Sequence, residues 1–434
     1  MRTVFMMGNR ILPKILGKTL NAVAYFQSAL LRCYGLISTV NDSIFGDTMT
    51  LTRTTAKTVD QSDGTVTDYT SGQVGYEGTG VLVEEAHTNI IKRSRDWSHA
   101  DWTNTNTTVD AATGDTTAPD GTSTANKLTA TNASQNMQQV PAITANANLC
   151  VSIYAKEGTS DYICIQVIDH VTPANRAKFW WNVNTGSPGT SNTTGSGFGI
   201  ISSSMTSMGN GWYRCVGVCS TTSITAVRWT QFISNTDASN SVNVNDTQYV
   251  WQADMVESRY CLSPVETAGA SATMNADVFS LNSSSIPVND FQFYIEFNPD
   301  IVKTQAGERQ VIVDTRDDAN TDGFWIAYDK DDGGYTAHIR RNSVTTELTV
   351  TDTPVVGTKD KLLLTLSSTD GVTFELDGST ATTNATATPF SATLRTDAVF
   401  GAQRGAASYA DGVISAMKWR SGTNMTLAEI ESQC

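Results

Sequence analysis

Six aspartates crowd two short runs in the last third of the chain: Asp314, Asp317 and Asp318 in DTRDD, and Asp329, Asp331 and Asp332 in DKDDGG. Two chemistries suit such acids. Glycoside hydrolysis needs a carboxyl pair about 5–9.5 Å apart. A calcium ion takes six to eight oxygens from flexible loops. Both runs have turn character, where acids are ordinarily solvated. Calcium is therefore the one ion to consider, at Asp314, Asp317, Asp329 and Asp331, and no other cofactor is expected. Catalysis is not expected, because no Ser/His/Asp or Cys/His set can be assembled. The four histidines, His87, His99, His170 and His338, are too scattered for a zinc motif.

Aromatic residues offer a different chemistry, since an exposed indole can stack on a sugar ring. In AKFWWNV, strand alternation sends Trp180 and Trp181 to opposite faces. Each is either a glycan platform or a core residue. Trp325 and Tyr328 in GFWIAYD carry the same two readings. Trp97 and Trp102 in DWSHADW are expected to anchor the segment before them, while Trp212 and Trp251 belong to strand cores.

The elements that must position these groups are mainly β. The chain has 434 residues, room for two or three domains each with its own core. Only 17% of residues are charged, and Thr, Gly, Asn and Ser dominate after residue 47, as turn-rich strands require. LTRTTAKTVD and GTVTDYTSG form a hairpin around an Asp-Gly turn, with GVLVEE following. From 93 to 283 eight strands recur at even spacing: NKLTAT, NMQQVPA, LCVSIYAKEG, DYICIQVID, AKFWWNV, GWYRCVGVCS, AVRWTQFIS and TQYVWQADMVE. That spacing indicates an antiparallel jelly-roll sandwich. From 286 to 434 a second sandwich is expected, with TDG turning LLLTL onto VTFEL and a capped helix at MTLAEIESQ.

Net charge and cysteines narrow the partners. A net charge of −14 and a pI of about 4.7 argue against nucleic acid. The seven cysteines show no CxxC pair and fall among apolar residues, so all are expected free, in a reducing compartment. Near the N-terminus, Leu16, Leu20, Val23, Leu30 and Tyr34 follow alternating four-and-three spacing. They mark a short amphipathic helix in an arm over 1–45, for packing on its own chain or for attachment and self-association. Residues 46–92 are a connector. No run reaches the length of a membrane span, and no membrane insertion is expected.

A resemblance runs through these segments. LTRTTAKTVDQSDG, GVLVEEAHTNII, APDGTSTANKLTAT, GNGWYRCVGV, QYVWQADMVESRYCLSPVE and MNADVFSL occur in that order over about 230 residues. Together they resemble a module of bacteriophage virion proteins, in which a "TRAST…DG" segment leads through "LLVEEARTNLL" into a jelly roll. This chain departs from that pattern at the Cys-Leu-Ser-Pro exit and at Asn275. The last block resembles concanavalin A-like, laminin-G-type sandwiches in KLLLTLSSTDGVTFELDG and in its closing ADGVISAMKWRSG. The resemblance implies a virion structural protein, assembled in the host cytoplasm: a tail fibre or tail-tip receptor binder mounted by its N-terminal arm. It implies other virion proteins and host-surface glycans as partners, and a homotrimer. A capsid-mounted head fibre or decoration protein is the alternative, and a virion-associated glycan hydrolase the more distant one.

Overall fold

The computed structural model describes residues 49–61, 63–77, 80–111, 114, 116–282, 290–316, 320, 322–384, 397–403, 408–422 and 425–431. The helical stripe expected at Leu16, Leu20, Val23, Leu30 and Tyr34 lies outside them. The protein is mainly β, and the chain divides into two compact units. One takes Arg53–Gly78 and Glu84–Asp277, the other the residues up to Thr52, Thr79–Val83 and Val278–Cys434. Residues 46–92, expected as one connector, are thus shared between the units. Among the described residues no helix is long and apolar enough to cross a membrane.

The first unit is a sandwich of two six-stranded antiparallel sheets. One sheet runs Ser187–Thr194, Arg176–Asn182, Tyr162–Asp169, Val227–Ser234, Asn136–Gln139, Thr103–Thr105. Its mate runs Phe198–Ser207, Trp212–Thr221, Asn148–Glu157, Thr247–Val256, Asn126–Ala130, Thr107–Ala111. All eight expected strands are present. Four more were not expected, among them the Ser/Thr/Gly-rich Ser187–Thr194 and Phe198–Ser207. Ser187–Thr194 has no apolar alternation, and in Phe198–Ser207 the core-facing Phe198, Ile200 and Met205 are interrupted by a run of serines, so the pattern is weak.

Between the sheets lies an apolar core in which Ile153, Ile163, Ile165, Val167, Phe179, Trp181 and Trp229 are fully buried. Trp97 and Trp102 are part of it. Their rings stack at 4.3 Å and 8°, and both meet Trp229 edge-on at 5.7 and 5.5 Å. Their indole N–H groups donate to Ser94 O and Arg93 O. The two tryptophans therefore fix their own loop by core burial, each aromatic pair adding about 0.5–1.5 kcal/mol beyond its area.

A buried ionic cluster gathers the segments that flank this core. Arg53 Nη1 lies 2.7 Å from Asp277 Oδ1, and Lys57 Nζ lies 2.6 Å from Asp277 Oδ2 and 3.1 Å from Glu84 Oε2. Arg53 also donates to Thr55 O, Thr70 O and Gln73 O, so all three of its side-chain nitrogens are engaged. Glu84 Oε1 accepts the Ser263 N–H at 2.8 Å. Burial would raise the Glu84 carboxyl, but Lys57, His87 and Ser263 outweigh it and hold it below its ordinary range. Beside the cluster Asn89 satisfies its whole amide, donating to Ala253 O and Val265 O and accepting from Ile91 and Met255. Arg53, Glu84 and Asp277 are each a residue at which the chain enters or leaves this unit.

One cysteine expectation is corrected. Cys150 and Cys261 are disulfide-bonded, with Cα atoms 5.6 Å apart. Cys261 does not lie in a strand. Cys150 stands opposite Val256, the last residue of its neighbouring strand, and the chain beyond Val256 returns to reach it. Cys164, Cys215 and Cys219 are free and buried; Cys33 and Cys434 lie outside the described residues.

The second unit is also a sandwich. One sheet runs Met49–Thr52, Val278–Asn282, Asp397–Phe400, Arg309–Asp314, Gly323–Asp329, Gly334–Arg341, Val344–Val350. The other carries Ser379–Asn384, Gly371–Leu376, Asp360–Ser367, Phe291–Pro299, Gly412–Ser421 and Gly80–Val83 in that order. Strands from three places outside 286–434 therefore complete it. Phe291, Phe293, Phe324 and Trp419 pack ring to ring in its core. The TDG hairpin pairs Asp360–Ser367 with Gly371–Leu376, and Val372, Phe374 and Leu376 point inward. Helix Leu427–Glu431 has its capping box, Thr426 Oγ1 accepting from the Glu429 N–H and Glu429 Oε2 from the Thr426 N–H.

Two measurements check this account. Asp277→Asn leaves buried Arg53 and Lys57 short of a counter-charge, so urea denaturation should show a loss of about 3–5 kcal/mol. A loss under about 1 kcal/mol would match a surface pair and refute the buried cluster. Non-reducing peptide mapping should recover Cys150 joined to Cys261, with Cys164, Cys215 and Cys219 alkylated only after denaturation. Free Cys261 in the native protein would contradict the bond.

Candidate binding face

None of the aromatics expected to meet sugar presents a ring to solvent. Trp181 is fully buried and stacks on Phe179. Trp180 points to the opposite face, as alternation requires, yet it is only 2% exposed. The loop at 235–240 covers it, and its indole N–H donates to Ser239 O at 2.8 Å. Trp325 is closed on both faces, by the Arg316 guanidinium at 4.3 Å and the His338 ring stacked at 4.3 Å and 8°. Tyr328 lies buried against Tyr335. Alternation gave the faces correctly but could not show what covers them.

The carboxylates do not gather either. Asp314 is fully buried and held through two oxygens by Arg316, at 3.0 and 2.6 Å. Asp329 is engaged by Arg309, at the other end of strand Arg309–Asp314. Asp331 accepts the Gly307 N–H at 3.0 Å, and Asp317 lies outside the described residues. The acids expected to share calcium are thus spread along the strand and partly neutralised by arginines. A different trio, Asp332, His338 and Glu347, brings ligand atoms within 4.8 Å of one another. Burial, helped by Arg309 and Arg316, pushes His338 down to about 4, which keeps the ring neutral.

In the first unit the two sheets treat their outer faces differently. The outer face of the sheet containing Asn148–Glu157 is sealed. Val66, Ala118, Ala125, Tyr154, Met208, Trp212 and Trp251 form a second apolar cluster there. Asp60 accepts from the Tyr154 hydroxyl and pairs with Arg214 at 2.9 Å, and Arg95 lies 4.3 Å over Trp251. Under this cover Asp254 is buried with Oδ1 lacking a partner. Burial raises its carboxyl to about 7, against the pull of His87 and Arg214.

The outer face of the other sheet carries no such apolar cluster, and polar side chains cross its middle. Ala177, Phe179, Ile163, Ile165, Val167, Val227 and Trp229 point into the core, so their alternates point out. One row of opposed residues crosses all six strands: Asn192, Lys178, Gln166, Thr230, Gln138, Thr103. The adjacent row holds Thr194, Arg176, Ile168 and Arg228. Gln166 and Thr230 are 2% exposed at the floor, while Arg176, Lys178, Arg228 and Gln138 are half-buried around them. Arg176 donates to Gln166 Oε1 at 3.4 Å and to Pro173 O, and Gln166 donates to Asn240 Oδ1 at 3.2 Å. Asn192, Lys178, Gln138 and Thr103 of the first row and Arg176 and Arg228 of the second are half-buried or exposed, and they can hydrogen-bond a polyhydroxylated ligand. Composition alone hides this strip, because its residues lie far apart in sequence and meet only through register.

No family model matches the sequence, and no curated protein matches it. Among solved structures, the receptor-binding domain of botulinum neurotoxin C/D mosaic serotype is similar at 12% identity and TM-score 0.29. That match covers 36% of this chain, which spans 40% of that domain's length. A heptameric SAP-like pentraxin from Limulus polyphemus is similar at 15% identity and TM-score 0.27, covering 33% of this chain and 68% of that one. Mouse laminin α1 domains LG4-5 are similar at 10% identity and TM-score 0.24, covering 80% and 91%.

Asp254 gives this region a pH signature. Its folded carboxyl titrates near 7, above the ordinary value near 3.9 of an unfolded chain. The folded state therefore holds the extra proton between those values, and stability falls as pH rises through about 4 to 7. Asp254→Asn should flatten that slope and raise the melting temperature at pH 8 more than at pH 5. An equal shift at both pH values would show that Asp254 is ionised throughout.

Proposed function

We propose that this chain is a bacteriophage virion appendage protein, a tail fibre or tail-tip receptor binder that presents β-sandwiches to host-surface glycans. The polar strip on one outer face of the jelly roll carries this reading. One sheet of that sandwich is sealed by the chain's own segments, and the other sets half-buried Arg176, Lys178, Arg228 and Gln138 around a buried polar floor, where a ligand can meet them. The virion part rests on the phage-module resemblance. Arg53, Glu84 and Asp277, from three of its segments, meet in the buried cluster, so those segments work as one folded module. In this reading the arm over 1–45 attaches the protein, as a homotrimer, to other virion proteins.

Purified full-length protein, added in excess to host cells, should block adsorption of the phage. Antibody labelling of intact particles should place it on the tail, whereas label on the head would move the reading to a head fibre or decoration protein. Deleting residues 1–45 should leave the protein folded but absent from purified particles. Absence of the intact protein from particles would end the virion reading.

A further inference from the structure

The polar outer face of the jelly roll carries more than hydrogen-bonding groups. Arg176, Lys178 and Arg228 all belong to it, and none forms an ion pair among the described residues. In the same unit Arg53, Lys57, Arg93, Arg95 and Arg214 each have a carboxylate partner. Strand register sets the spacing. Arg176 and Arg228 flank Ile168 two strands apart, about 10 Å, and Lys178 lies about 7 Å along the strand from Arg176. Acids near this face are already occupied. Asp237, in the covering loop, accepts from Thr190 N and Oγ1 at 2.8 Å each, and Asp169 accepts from Val171 N at 2.9 Å. The exposed His170 follows Asp169 at the strand end.

Three buried polar atoms here have no partner: Arg176 Nε, Arg228 Nε and Thr230 Oγ1. Thr230 is 2% exposed and lies in the strand of Arg228, in the row beside the arginines. Those buried atoms cannot meet a ligand, but the terminal Nη groups of Arg228 have no partner among the described residues and those of Arg176 make one hydrogen bond each, leaving N–H groups for a carboxylate.

We propose that this face seats an acidic oligosaccharide whose sugar carboxylates lie between Arg176, Lys178 and Arg228. The proposal rests on the glycan-binding reading above and adds the charge class of the ligand. The net charge of −14 does not oppose it, because charges beyond about 8 Å are largely screened at physiological salt. Nucleic acid fits less well. Single strands bind through aromatic rings that stack on bases, and Trp180 on this face is covered.

Titration calorimetry on the full-length protein tests this, with oligogalacturonate as the acidic probe, maltodextrin of equal length as the neutral one and oligo-dT as a phosphate control. Oligogalacturonate should bind, more weakly as salt rises, and the two controls should not. Lys178→Ala and Arg228→Ala, which remove no hydrogen bond among the described residues, should each weaken it by roughly tenfold or more, with melting temperatures little changed. Equal binding of maltodextrin that both variants retain would overturn the charge class yet leave a glycan-binding face. Equal binding of oligo-dT would overturn the saccharide assignment. Failure of oligogalacturonate to bind would overturn the inference. If the protein still blocks adsorption in that case, the receptor-binding reading stands; if it does neither, both fall.

Discussion

Two cations and two carboxylates, buried together, hold the jelly-roll unit at the residues where the chain enters and leaves it. Arg53, Lys57, Glu84 and Asp277 balance one another in charge, and each is tied further by hydrogen bonds or by a second ion. Burying such ions is expensive, several kcal/mol apiece, unless every partner is present. The cluster therefore forms completely or opposes folding. Its members come from LTRTT, AKTVD, GVLVEE and MNAD, so the condition brings together segments more than 200 residues apart. Once they meet, Asn89 can close on Ala253, Val265, Ile91 and Met255, and the turn containing Ser263 is held by Glu84. The disulfide to Cys261 fastens the same stretch of chain to strand Asn148–Glu157.

This explains why the segments that carry the phage-module resemblance contain charged residues in a protein only 17% charged. Arg53, Glu84 and Asp277 have the look of site residues, and their work is architectural. Sequence reasoning found the segments and their order. It could not find their purpose, because a salt-bridge partner 224 residues away leaves no local signal.

Other parts of the fold divide on the same physical line. Strands buried along nearly their whole length, such as Asp360–Ser367 and Tyr162–Asp169, announce themselves by apolar residues, and all eight expected jelly-roll strands are found. The half-exposed Ser187–Thr194 announces nothing, and Phe198–Ser207 little, its core-facing apolar residues being broken by serines. The interleaving of the two units was also hidden, since Gly80–Val83 looks like any strand until its partner, Gly412–Ser421, is known. Cys150 and Cys261 looked like isolated hydrophobes for the same reason. For the site, alternation placed Trp180 and Trp181 on opposite faces, but exposure depends on the loop at 235–240, which sequence periodicity does not place.

The contrast between the two outer faces of the jelly roll then becomes informative. Where Tyr154, Trp212 and Trp251 emerge, the chain spends a hairpin and the segment around Ala118 to cover them. Where Lys178, Gln166 and Gln138 emerge, only one end is covered, by the loop that seals Trp180. A sheet face that existed only to be inert would be inexpensive to make from Thr and Ser alone, as strands Ser187–Thr194 and Thr103–Thr105 largely are. Instead its centre holds Gln166 and Thr230 nearly without solvent, with the Thr230 hydroxyl unpaired. Leaving a buried hydroxyl unsatisfied is unfavourable by about 1–3 kcal/mol. That cost falls on the fold, and what the floor does is hold half-buried Arg176, Lys178, Arg228 and Gln138 around it, so those side chains are the ones a ligand on this face meets.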